Sequence, residues 1–141
     1  MRFEYDDGGR SQAGYCGTTG DCTCRAIAIA AQLPYQDVYD FLNKQAGYQR
    51  ITRKQRKRGS ARTGIYKSTI RRALTEMGWR WTPTMGVGTG CKVHLRDGEL
   101  PMGRLIVNVS HHMVAVIDSV IRDTHDCSRG GSRCVYGYWT R

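Results

Sequence analysis

"GTTGDCTCRAIAIAAQL", residues 17–33, sets small polar residues and two cysteines directly against an apolar run. Ala26, Ile27, Ala30 and Leu33 recur at helical spacing, so the stretch predicts a helix over residues 22–33. A thiol in the first turn of a helix meets unpaired backbone N–H groups and the positive end of the helix dipole, and both favour thiolate. Cys22 at that position is a nucleophile, a metal ligand or a packing residue. Cys24, two residues along, points elsewhere and reads as core, while Asp21 reads as the helix N-cap.

Upstream, residues 1–19 show no periodicity and read as an extended lead-in with glycine turns. Downstream, Pro34 stands near the start of a second helix, "PYQDVYDFLNKQA", with Val38, Phe41 and Leu42 as its apolar face and Gly47 as its end. Residues 49–62 have almost no apolar content and predict a mobile basic loop. "YKSTIRRALTEMGW" predicts a third helix, capped by Ser68 or Thr69 and closed by Gly78, with Ile70, Leu74 and Met77 on one face. "RWTPTMGVGTGCKVHL" reads as loop. Its glycines lack the strand-to-helix context and Lys-Ser/Thr ending of a phosphate cradle, and are expected instead to let backbone approach a substrate or the catalytic cleft. Trp79, Trp81 and Trp139 read as core or cleft wall.

Beyond residue 100 the period becomes two. "GRLIVNVS", "HMVAVID", "SVIRDT" and "RCVYGYW" are short β-branched or aromatic runs separated by turn residues. Helices come first and strands second. The expected fold is α+β, one domain over residues 1–141 with N-terminal helices packed on a C-terminal antiparallel sheet.

Composition narrows the function classes. At 141 residues the chain can bury a core without staples. No apolar run approaches the roughly 20 residues needed to span a bilayer, so a membrane partner is not expected. The opening MRFEYDDGGR is acidic and polar, unlike a signal peptide, which points to the cytoplasm and to six reduced cysteines. The net charge of +10 is concentrated in residues 48–72, which hold no acid. Arg53, Lys54, Arg56, Lys57 and Arg58 lead that patch as candidates for contacting nucleic acid or an acidic partner. The oligomeric state is left open.

A nucleophilic cysteine needs a base within hydrogen-bond reach and a third group to orient that base. His112 opens "HMVAVID", and a turn at Asp118 and Ser119 leads to Asp123. In an antiparallel pair turning there, facing residues sum to roughly 237, which sets His112 near residue 125 and diagonal to Asp123. His125 and Asp126 are also close by. His112 is preferred to His111 because alternation puts it on one face with Val114 and Val116.

"GDC" leading into a helix, followed by "HMVAVID" and an Asp on the next strand, resembles the papain-like cysteine hydrolase superfamily. "GDCTCRAIA" looks like the cysteine box of ovarian-tumour-type deubiquitinases, with Cys24 where that pattern has its aromatic. The later half is similar to bacteriocin-processing and papain-type peptidases, in which His begins a Val-rich strand. The resemblance implies a papain-like fold, with Cys22 as nucleophile, His112 as base and Asp123 as orienter. It also implies an oxyanion site formed by the Cys22 N–H with a group among Thr18, Thr19 and Asp21. The sequence departs from the pattern at its upstream oxyanion Gln: position 16 is Cys, and Gln12 lies further away. Most of the chain also resembles small bacteriophage proteins sharing "TTGDC-CRAIAIA", "ARTG-Y" and "DTHD-SRGG-RCVYGYW", which implies viral origin without an activity.

The expected chemistry is cofactor-free acyl transfer at an amide or isopeptide bond of a protein or peptide. The alternative is a non-enzymatic basic binding module or virion-associated protein. A zinc site has ample ligands in Cys16, Cys22, Cys24, Cys91, Cys127, Cys134, His94 and His125, but no paired C-x-x-C, and none is expected. Cys127 and Cys134 are expected to be reduced and packed, facing across a hairpin.

Overall fold

The computed structural model describes residues 1–17, 19–54 and 56–141. Its first helix, α1 (Cys22–Ala31), is buried from Thr23 through Ala30, because small and branched apolar residues surround it on every side. It ends at Ala31, short of the Leu33 that the apolar spacing suggests. Gln32 turns left-handed at φ 57°, and the Leu33 N–H reaches back 3.1 Å to the Ala28 carbonyl. The Arg104 guanidinium then caps the Ile29 and Ala30 carbonyls at 2.7 Å each.

Helix α2 (Tyr35–Gly47) follows with Val38 and Leu42 inward. Residues 49–62 form no helix or strand among those described, beyond an isolated bridge from Ser60 to Gly64. In α3 (Lys67–Glu76) the cap position falls to Tyr66, which offers no side-chain cap. Ser68 and Thr69 therefore lie inside the first turn, where Thr69 is buried, and do not cap the helix as expected. Gly78 closes the helix at φ 89°.

Among the described residues, six strands form one sheet. In chain order they are β1 (Arg2–Tyr5), β2 (Arg80–Pro83), β3 (Arg104–Val109), β4 (His112–Ile117), β5 (Val120–Asp123) and β6 (Val135–Thr140). Their spatial order is β1-β5-β4-β3-β6-β2. The antiparallel expectation fails at one edge, where β1 runs parallel to β5 with Arg2 opposite Val120. β1 lies in the stretch read as an extended lead-in, and β2 in one read as loop. Each is a four-residue edge strand, too short for alternation to show, and β2 ends at a proline that only an edge tolerates.

The β4–β5 hairpin turns through Asp118 and Ser119, at φ 48° and 63°, the double positive φ of a type I′ turn. This fixes Val116 opposite Ile121 and Ile117 opposite Val120. The pleat then sends alternate residues to two apolar layers. Ile106, Met113, Ala115 and Trp139 pack with the helices, while Leu105, Val107, Val114, Val116 and Ile121 pack beneath Leu95 and Leu100 of the β2–β3 connection. No described helix is long and apolar enough to cross a membrane.

The six-thiol expectation is corrected by a disulfide between Cys91 and Cys134, whose Cα atoms stand 5.8 Å apart. The β2–β3 connection lies across the start of β6: Thr84 bonds the Tyr136 and Val135 carbonyls, and His94 bridges Cys134. That crossing delivers Cys91 to Cys134, so Cys134 is bonded rather than reduced, while Cys127 stays free and buried.

Candidate active site

Cys22 is the first residue of α1, half-buried where the helix N-terminus meets the start of β4. His112 is the first residue of β4, entered through a two-residue turn in which His111 takes φ 55°. His111 is thus a turn residue exposed at the cleft mouth, and His112 is the imidazole of the site. His112 Nε2 lies 2.6 Å from Asp123 Oδ2, the diagonal pair that the hairpin register brings together. The other hydrogen-bonding neighbours of this imidazole are the thiols of Cys22 and Cys127.

The electrostatics favour a charged pair. Burial by itself pushes the Cys22 thiol up; hydrogen bonding to His112 and to the Met113 backbone, with the charges of His112 and Arg25, outweighs it and draws the thiol below its ordinary value. Burial pulls His112 down, but hydrogen bonds to Asp123, Cys127 and Cys22 and the Asp123 charge raise it to about 11. Asp123 is held low against its own burial by His112, the Thr124 backbone and Arg25. Both shifts run toward a thiolate beside an imidazolium, and the imidazolium rests on the carboxylate of Asp123, a residue that is 3% exposed.

Arg25, one turn along α1 from Cys22 and 7% exposed, was not singled out from the sequence. Its guanidinium joins Asp21 Oδ1 to Asp123 Oδ1, the latter at 3.2 Å. Asp21 also accepts from Thr19 Oγ1 at 2.5 Å and the Tyr35 hydroxyl at 2.7 Å. Asp21 occupies the N-cap position but makes no side-chain cap, correcting that expectation: four cation and hydroxyl donors take its oxygens instead. The signal was present as an Asp–Arg pair at i,i+4 inside an otherwise apolar helix. Cys127 was also missed as a neighbour of His112, and its place in the turn after β5 leaves no sequence trace.

The oxyanion candidates separate. Thr18 lies outside the described residues. Thr19 and Asp21 are bonded to each other, so their side chains do not serve the cleft. Gln12 is exposed and does not line it. What remains at Cys22 is the helix N-terminus itself. Gly20 matters for a different reason than open amides: its N–H bonds the Arg62 carbonyl at 2.7 Å, and a Cβ there would fall 2.7 Å from the Thr63 carbonyl oxygen. The end of the basic segment is thereby pinned beside the start of α1.

A cleft of about 760 Å³ opens at Cys22, walled by Thr63–Ile65, α3, Asn108–Met113 and the aromatic rings of Trp81, Tyr136 and Trp139. Gly86, Gly88 and Gly90 do not line it, so the glycine-rich loop does not bring backbone to the cleft as expected. Trp79 is core and 4% exposed. Arg53, Lys54, Arg56, Lys57 and Arg58 are exposed and also lie off the cleft.

Among the described residues, the group that could hold a metal ion is His112, Asp123 and His125, with ligand atoms within 4.8 Å of one another. An ion there would displace the imidazole from Asp123, whose other oxygen is bonded to Arg25. The other candidate ligands form no such group among the described residues. Cys24 packs at 3.8 Å on the Tyr35 carbonyl, burial pushing it up to about 12, and His94 pairs with Glu99 at 3.2 Å. Compared with known proteins, the chain matches no family model, no curated protein and no solved structure.

Proposed function

We propose that this chain is a papain-like thiol hydrolase or acyltransferase acting on an amide or isopeptide bond through Cys22, His112 and Asp123. The observation that carries the reading is the contact between His112 Nε2 and Asp123 Oδ2 at 2.6 Å, with the same imidazole against a helix-start thiol. The Cys22 thiolate attacks the carbonyl carbon, forming a C–S bond, and the developing oxyanion lies at the α1 N-terminus. His112 gives its proton to the departing amine as the C–N bond breaks. Water or an acceptor amine then attacks the thioester, returns a proton to His112 and releases the thiolate. The resemblance to phage proteins supports a viral source acting in the host cytoplasm.

Site-resolved iodoacetamide labelling across pH tests this, with exposed Cys16 as the internal reference. Cys22 is expected to alkylate well below the free-cysteine range of about 8.5, and to lose that advantage in His112→Ala. Titration of Cys22 alongside Cys16 would remove the catalytic reading.

A second reading has its own support: the exposed cations from Arg53 to Arg58 form a segment apart from the cleft. As a nucleic-acid or acidic-partner surface it would weaken steeply with salt, and would survive Cys22→Ala.

A further inference from the structure

We infer that the cleft beside Cys22 accepts a peptide segment in which an apolar or aromatic side chain stands next to a carboxylate. This rests on the acyl-transfer reading and names its substrate class. Trp81 and Trp139, with ring centroids 5.2 Å apart, face the cleft together with Ile65 and Ile70, a surface for an apolar or planar side chain. On its rim Lys67 and Arg71 stand one helical turn apart on α3, exposed and in no ion pair among the described residues. Among the described residues, no Asp or Glu lines the cleft. A ligand carrying a carboxylate meets two cations there and no opposing acid.

Two buried polar atoms favour a peptide over other anions. Trp139 is 4% exposed, and among the described residues its indole N–H has no acceptor and the buried Asn108 side-chain oxygen has no donor. Both residues line the cleft, two rungs apart on paired strands. A peptide backbone supplies both partners, a carbonyl for the indole and an N–H for the amide oxygen. A nucleic-acid strand would bring phosphates toward the Cys22 thiolate and the Asn108 oxygen.

The experiment uses Cys22→Ala protein and short fluorescein-labelled peptides read by anisotropy: Phe-Glu, Phe-Gln and Phe-Lys cores with amidated ends, a Phe-terminal free acid, and an oligothymidylate. A carboxylate probe is expected to bind about tenfold tighter than Phe-Lys at low salt, with the preference shrinking as salt rises. Lys67→Glu with Arg71→Glu should invert the order, and Lys67→Gln with Arg71→Gln should flatten it. Tighter binding of amidated Phe-Glu assigns a side-chain carboxylate, and of the free acid a chain terminus. Equal affinity for all peptides, an order unchanged by the α3 variants, or preference for the oligothymidylate would overturn the inference. The alkylation profile of wild-type Cys22 reports separately on the catalytic reading.

Discussion

Asp123 accepts from two cations at once, His112 on one oxygen and Arg25 on the other, while almost fully buried. Replacing it by Asn leaves both without their shared anion, and breaking such a pair costs about 3 kcal/mol. The pH dependence has a definite sign. Asp123 is depressed, so its contribution is present above the ordinary carboxylate range and lost as pH falls through its folded value. His112 is raised, so its contribution is full below about 6.5 and is lost as pH rises toward about 11. The urea-midpoint gap between wild type and Asp123→Asn is therefore expected to be widest between about pH 4 and 6.5. A gap independent of pH would mean that neither group carries it. Asp123→Asn should also move the Cys22 alkylation profile upward, because His112 is then less firmly charged.

At the scale of elements, the hairpin was legible because a two-residue turn between two β-branched runs specifies register. From Asp118 and Ser119 alone one can place His112 diagonal to Asp123. The loop before α1 was not legible. Gly20 reads as one more small residue, and only the Thr63 carbonyl packed against it shows why a side chain is excluded. Gly20→Ala is expected to cost roughly 1–3 kcal/mol by forcing that loop off residues 62–64, and to slow Cys22 alkylation. Gly47→Ala is the contrasting substitution. It sits in α2 with nothing within 4 Å and no positive φ, so it should be neutral or stabilise by up to about 1 kcal/mol. Similar urea midpoints for the two variants would show that the Gly20 contact does not constrain the loop.

At the scale of the whole molecule, the helix-facing layer follows from periodicity, but the opposite face does not. Leu95 and Leu100 cover the sheet from a connection with no regular structure, and the ring and chain contacts that hold it have no period to read. The same crossing makes the Cys91–Cys134 bridge, which compositional reasoning about export signals pointed away from. The bridge spans 43 residues of chain, enough for loop closure to contribute about 4 kcal/mol in the chain-entropy account. Denatured, non-reduced protein should show free thiols at Cys16, Cys22, Cys24 and Cys127 alone, and at all six cysteines after dithiothreitol. Reduction, or Cys91→Ala with Cys134→Ala, should lower the urea midpoint. The Cys22 alkylation profile should stay in place, since neither bridge sulfur touches His112 or Asp123. Six reactive thiols before reduction would sink the bridge. A shifted Cys22 profile would instead tie the β2–β3 connection to the charge pair across the sheet.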